Sequence, residues 1–266
     1  MLRTIVVSIL LSFACALPAR TATVQHARDI AQWQPVANRA DSERSTHETW
    51  FRSHFAAPEW RVFADGPRIR AQLTSELPGH AGDAPRFLSK FRTRDGDPAY
   101  VAVDDGWLLG GGGLAWFSRD GKRSYTICER QIAAFFTLPD GLYAIEGSAG
   151  HRRKPVGSVI RIAHLDPGAR WQAFTGTKLP GAPSAIVVQR DGTMLVTLPR
   201  SLVFVGRDRK VRTVLRNAPW GGYDPNSSVL SPDGRRLYIG LRQYVGEYDL
   251  QRGTFRMLAP PTERPH

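Results

Sequence analysis

Two short clusters hold the residues best suited to bind something. His151-Arg152-Arg153-Lys154 concentrates cations, and an arginine fork can engage a carboxylate or phosphate through two parallel hydrogen bonds. Trp220-Gly221-Gly222-Tyr223-Asp224 offers flat aromatic faces for a sugar ring or for the centre of a protein interface. Asn226 follows closely, and oxygens of the kind that Asp224 and Asn226 carry suit a hard cation. Each cluster also has a plainer reading. A basic run in a loop can simply be solvated, and a Trp-Gly-Gly-Tyr segment can simply cover apolar surface.

Catalytic signatures are absent from the sequence. It contains no G-x-S-x-G elbow, Walker loop, C-x-x-C or H-E-x-x-H pattern. Gly110-Gly111-Gly112-Gly113-Leu114-Ala115 has the spacing of a dinucleotide fingerprint, but Trp116-Phe117-Ser118-Arg119-Asp120-Gly121 reads as strand and turn where that site needs a helix. The seven histidines are dispersed along the chain. Cys128 reads as a small buried hydrophobe, and Asp104-Asp105 and Asp95-Gly96-Asp97 as turn formers. No catalytic residue is therefore nominated, and no cofactor is expected from motifs.

The chain of 266 residues carries 36 Lys and Arg against 24 Asp and Glu, a net charge of +12. Only five of the cations are lysine, and the arginines are spread throughout rather than grouped. A nucleic-acid binder concentrates its charge on one face, so the expected partner is instead a protein, or an acidic small molecule or glycan. At the amino terminus, Met1-Leu2-Arg3, the apolar run Ile5 to Phe13 and Ala14-Cys15-Ala16 have the form of a secretory leader, with cleavage after Ala16, Ala19 or Ala22. Acylation at Cys15 is the competing reading, on a poor lipobox. No later run is apolar enough to span a bilayer, and a periplasmic or secreted protein is expected. Its oligomeric state is not legible.

The elements that must carry these residues follow from an internal repeat. Asp-Gly pairs at Asp65-Gly66, Asp105-Gly106, Asp140-Gly141, Asp191-Gly192 and Asp233-Gly234 are spaced 40, 35, 51 and 42 residues apart. Asp-Gly favours tight hairpin turns, and each pair here separates β-rich runs. The last unit is the clearest, with strands expected at 227–231, 236–240, 244–250 and 254–258. Units from 184, 132 and 99 repeat the plan. Four short strands per repeat of this length is the spacing of a propeller blade. The expected fold is all-β: a β-propeller of five four-stranded blades, or six if the amino-terminal segment adds strands. The expected boundaries are a leader at 1–22, an extension at 23–58 with a closing strand or a short helix between Ser42 and Phe55, a propeller at 59–260 and a tail at 261–266. The first unit, around Trp60 to Ala64, Ile69 to Leu73 and Phe87 to Phe91, is irregular.

In a four-stranded blade the first and third turns share one face of the disc. In this sequence those turns are short and stereotyped. The opposite face receives the long, varied connections, expected at Gly147 to Gly157, Thr175 to Pro183 and Arg216 to Asn226. Binding residues tend to sit on variable loops held by a rigid scaffold, which makes this loop-rich face the candidate site.

Ser231-Pro232-Asp233-Gly234-Arg235-Arg236-Leu237-Tyr238-Ile239-Gly240, with Tyr248-Asp249-Leu250 and Gly253 after it, resembles the blade motif of the YVTN-type and SMP-30/gluconolactonase-like β-propellers. The likeness covers one blade well and three loosely. In the lactonase-like members an asparagine before this turn helps hold a calcium or other divalent ion, and Asn226 stands at a similar place. The family's glutamate context is not matched by Glu146-Gly147, which lacks the proline. Two functions follow: an exported non-enzymatic binding module using Trp220, Tyr223, Asp224, Arg152, Arg153 and Lys154, or, on the resemblance, a metal-dependent lactonase or esterase with Asn226 as one ligand.

Overall fold

A computed structural model describes residues 27–36, 57–76, 87–88, 99–148, 156–166 and 168–261. The described residues form antiparallel sheets arranged as the five blades of a β-propeller. The first blade has β3 (Trp60–Asp65) innermost, then β4 (Arg68–Leu73), then β1 (Arg28–Asp29). The second runs β5 (Tyr100–Val103), β6 (Gly106–Gly110), β7 (Leu114–Ser118), β8 (Ser124–Cys128). The third runs β9 (Ile132–Leu138), β10 (Gly141–Ser148), β11 (Val156–His164), β12 (Trp171–Leu179). The fourth runs β13 (Ala185–Val188), β14 (Met194–Leu198), β15 (Ser201–Val205), β16 (Val211–Arg216). The fifth runs β17 (Ser227–Leu230), β18 (Arg236–Gly240), β19 (Val245–Asp249), β20 (Thr254–Ala259), with β2 (Gln34–Val36) added outside β20.

Local chemistry explains the turns. Gly234 takes φ +70°, a conformation that costs glycine little because it has no Cβ. Around it the Asp233 carboxylate accepts from the Ser231 hydroxyl at 2.5 Å and the Arg235 amide at 3.1 Å. The Ser118-Arg119-Asp120-Gly121 turn repeats the scheme, with Ser118 at 2.6 Å and the Lys122 amide at 3.1 Å from Asp120. Gly106 serves differently: its φ is ordinary, but a Cβ would lie 2.0 Å from the Phe117 carbonyl oxygen. Neighbouring strands approach too closely there for any side chain.

Apolar layers between blades hold the disc together. Leu108, Leu114 and Trp116 of the second blade pack with Ile132, Ala144, Ile160 and Ile162 of the third. Leu138, Tyr143 and Val159 meet Met194, Val196 and Val203 between the third and fourth. Leu195 and Leu202 meet Leu237, Ile239 and Met257 between the fourth and fifth. Trp60, Val62 and Ile69 meet Tyr238, Val245 and Leu258 between the fifth and first. Each such aliphatic side chain contributes roughly 1.5–3 kcal/mol on burial.

The amino-terminal segment contributes two short strands, β1 and β2. They add to existing sheets, so the blade count stays at five. β1 pairs with β4, and β2 pairs with β20 only a few residues later, so residues 28–36 tie the first blade to the last. Between them Ile30 and Trp33 are buried, and Trp33 meets Trp60 edge to face at 4.8 Å. The strand beside β4, opposite β3, is thus β1. Phe87 and Leu88 are not in a strand, and they pack on Phe117 of the second blade. Hairpin β10–β11 and strand β12 run further than expected, leaving 149–155 and 180–184 as the connections. The helix expected between Ser42 and Phe55 lies outside the described residues.

Candidate functional site

Inner strands β9, β13 and β17 begin after connections of rising length, 129–131, 180–184 and 217–226, and each leads into an Asp-Gly turn. Their first residues, with Arg61 from β3, surround a cavity of about 330 Å³ at the loop-rich end of the channel. Its walls divide by chemistry. Ala133, Ala134, Ile145, Pro183, Ala185 and Ile186 make one largely apolar side, interrupted by Ser184, while Arg61, Asn226, Ser227 and Ser228 make a polar one.

The polar side is built by two adjacent inner strands. The Ser227 hydroxyl accepts from the Val62 amide at 2.9 Å and donates to Asn226 Oδ1 at 2.9 Å. Asn226's own amide donates to the Gly240 carbonyl at 3.0 Å. Gly240 permits this crowding, because a Cβ would stand 2.2 Å from the Ser227 hydroxyl and 2.4 Å from the Trp60 carbonyl. With Oδ1 engaged, Asn226 turns its Nδ2 away, and that atom is buried without a hydrogen-bond partner. Ser228 Oγ and Arg61 Nε are buried and unpartnered as well. Buried polar groups are almost always satisfied, and three residues that each hold such an unpartnered atom line the same cavity. Among the described residues, no carboxylate lines the cavity and none forms a salt bridge with Arg61.

In the segment before β17, Asp224 Oδ2 accepts from Nε of Arg242, 12% exposed, at 3.2 Å, and the Arg242 NH2 donates to Glu59. Arg242 clips the loop before β17 to the residue before β3. Asp224 holds φ +46° in that loop.

The sequence-nominated residues distribute unevenly over this geometry. Asn226 lines the cavity, and Asp224 is not among the residues lining it but pairs with Arg242. Trp220 is fully buried between the fourth and fifth blades, where its indole N–H donates to the Leu198 carbonyl at 3.0 Å and its ring packs on Tyr248 and Phe255. Tyr223 is 8% exposed and packs edge-on against Tyr244. The expected flat ligand platform is therefore corrected: both rings are occupied by the protein, because the loop folds inward to seal the gap between blades. Arg152, Arg153 and Lys154 lie outside the described residues. The Cys128 thiol is half-buried, and burial pushes its pKa up, as expected of an inert side chain.

A divalent ion of the kind the lactonase resemblance implies does not fit the residues around Asn226. Hard cations take several oxygen ligands, usually with carboxylates. Here the free Asn226 atom is a donor, the neighbouring charge is the cation Arg61, and Glu146 is engaged by Ser158 and by Arg130 at 3.5 Å. No cluster of three His, Cys, Asp or Glu occurs among the described residues.

Arg61 and the serines escaped the sequence reading. Arg61 sits in the irregular first unit, beside no motif. Asn226-Ser227-Ser228 was a usable signal, a run of small polar residues at the start of an inner strand where apolar ones are the rule.

No protein-family model matches the chain, and no curated protein does. Solved structures similar to it include virginiamycin B lyase from Staphylococcus aureus, at 16% identity and TM-score 0.41 over 62% of this chain and 56% of that one. The extracellular domain of the putative one component system BT4673 from B. thetaiotaomicron aligns at 12% identity and TM-score 0.42, over 90% of this chain and 30% of that one. A glucose dehydrogenase aligns at 14% identity and TM-score 0.38, over 61% of each. The chain thus spans a little over half the length of the lyase structure it matches. The chain's own sheet order makes it a propeller.

Proposed function

We propose that this chain is an exported, non-enzymatic binding module that takes its ligand in the axial pocket at the loop-rich face. One cavity lined by Arg61, Asn226 and Ser228, residues that each also hold a buried polar atom without a partner, carries this reading. A preformed concave site with a few convergent polar groups and apolar walls is the usual form of a small-molecule site. The leader-like amino terminus supports a place in the envelope, and no helix among the described residues is long and apolar enough to cross a membrane.

The test is retention of a small molecule. The purified protein is incubated with a small-molecule envelope extract, desalted and analysed by mass spectrometry, beside an Ala133→Trp variant whose indole fills the cavity. Ala133 is exposed and lines the pocket, so the fold tolerates the change. The expected result is a compound retained by the native protein and lost from the variant. Retention of nothing, with an unchanged melting temperature in the extract, refutes the reading.

A further inference from the structure

We infer that the axial pocket selects a small organic monocarboxylate, its carboxylate on Arg61, Asn226 and Ser228 and a short apolar flank against Ala133, Ile145, Pro183 and Ala185. This inference rests on the pocket being the binding site, and it names the chemistry of the occupant. The polar atoms divide into a guanidinium, a carboxamide N–H and a hydroxyl, which can all donate hydrogen bonds. No carboxylate among the described lining residues competes for them. A site made of donors around an uncompensated cation favours an acceptor-only, negatively charged group.

The remaining walls decide what the anion is attached to. The opposite wall is largely hydrocarbon, supplied by β9, β10, β13 and the Pro183-Ser184 segment before β13, so the occupant carries a hydrophobic portion of modest size, in keeping with a cavity of about 330 Å³. A phosphate group fits less well. It carries more charge than one guanidinium offsets.

Calorimetric titration tests this with benzoate and butyrate as probes, their neutral amides benzamide and butyramide as isosteric controls, and inorganic phosphate as the competing anion. The expected result is saturable binding of an acid, with its amide at least about tenfold weaker, the loss of one charge-assisted hydrogen bond. Arg61→Gln is expected to weaken the acid by a similar factor, and Arg61→Lys to recover part of it. Unchanged melting curves show that both variants fold. Equal binding of acid and amide, full affinity in Arg61→Gln, displacement of the acid by phosphate, or binding of no acid overturns the inference. If acid and amide bind equally and both are lost in Ala133→Trp, the anion assignment falls and the pocket reading stands. Acid binding undiminished in Ala133→Trp removes the pocket reading too.

Discussion

Trp171, on the outer strand of the third blade, donates its indole N–H to the Asp105 carboxylate in the first turn of the second blade at 3.0 Å. The same oxygen accepts from the Trp116 indole at 3.1 Å. One acid thus joins two tryptophans from different blades, beside Tyr125, whose hydroxyl accepts from the Trp171 amide at 2.7 Å. The arrangement ties outer parts of two blades that the apolar layer alone would leave free to shear.

Replacing Asp105 with alanine is expected to destabilise the fold by about 1–2 kcal/mol, since a partly exposed acceptor of two indoles is removed. Asparagine keeps an acceptor oxygen and should recover most of that loss. Urea unfolding followed by tryptophan fluorescence measures both.

Trp220→Ala is expected to cost about 3–5 kcal/mol, the range for emptying a buried tryptophan site. The change should leave acid binding in the axial pocket intact at temperatures where the variant is folded. Thermal unfolding and titration of the same preparation separate the two effects. Lost binding in a folded variant would return the ring to the ligand site.

Trp33→Ala is expected to lower stability by about 3 kcal/mol, because it loosens the segment that ties the first blade to the last. Hydrogen exchange should rise at β1, β2 and the outer edge of β20, more than at β13 to β15. Uniform exchange would show that the segment does not act as a local tie.

Acid should weaken the turns. Hydrogen bonds from the Ser231 hydroxyl and the Arg235 amide hold the Asp233 carboxyl below its ordinary pKa of 3.8. The Ser118 hydroxyl and Lys122 amide do the same for Asp120, and the Thr193 hydroxyl and amide for Asp191. A pKa lowered by folding gives stabilisation that is present above the unfolded value and lost as pH falls through the folded one. The melting temperature should therefore decline as pH drops from about 5 towards 2. Removing the Ser231 hydroxyl in Ser231→Ala should make that decline shallower.

What was legible in the sequence is what is short-range. The Asp-Gly and Ser-x-Asp-Gly turns follow from hydrogen bonds spanning two to five residues and from the backbone freedom of Gly234, and the strands of four blades follow from the apolar runs between those turns. Together these determined an all-β propeller and left its blades at five or six. The tertiary structure decided what depends on closing the ring. It set Val62 against Ser227, 165 residues away, brought Arg61 to Asn226, and gave β1 and β2 to opposite ends of the blade order. It also turned Trp220 inward, because the gap between two twisted sheets needs filling and the loop sequence alone does not say which side of it becomes solvent. Strand pairing within a hairpin is settled by its own turn, whereas blade-to-blade contacts exist only once every blade is in place.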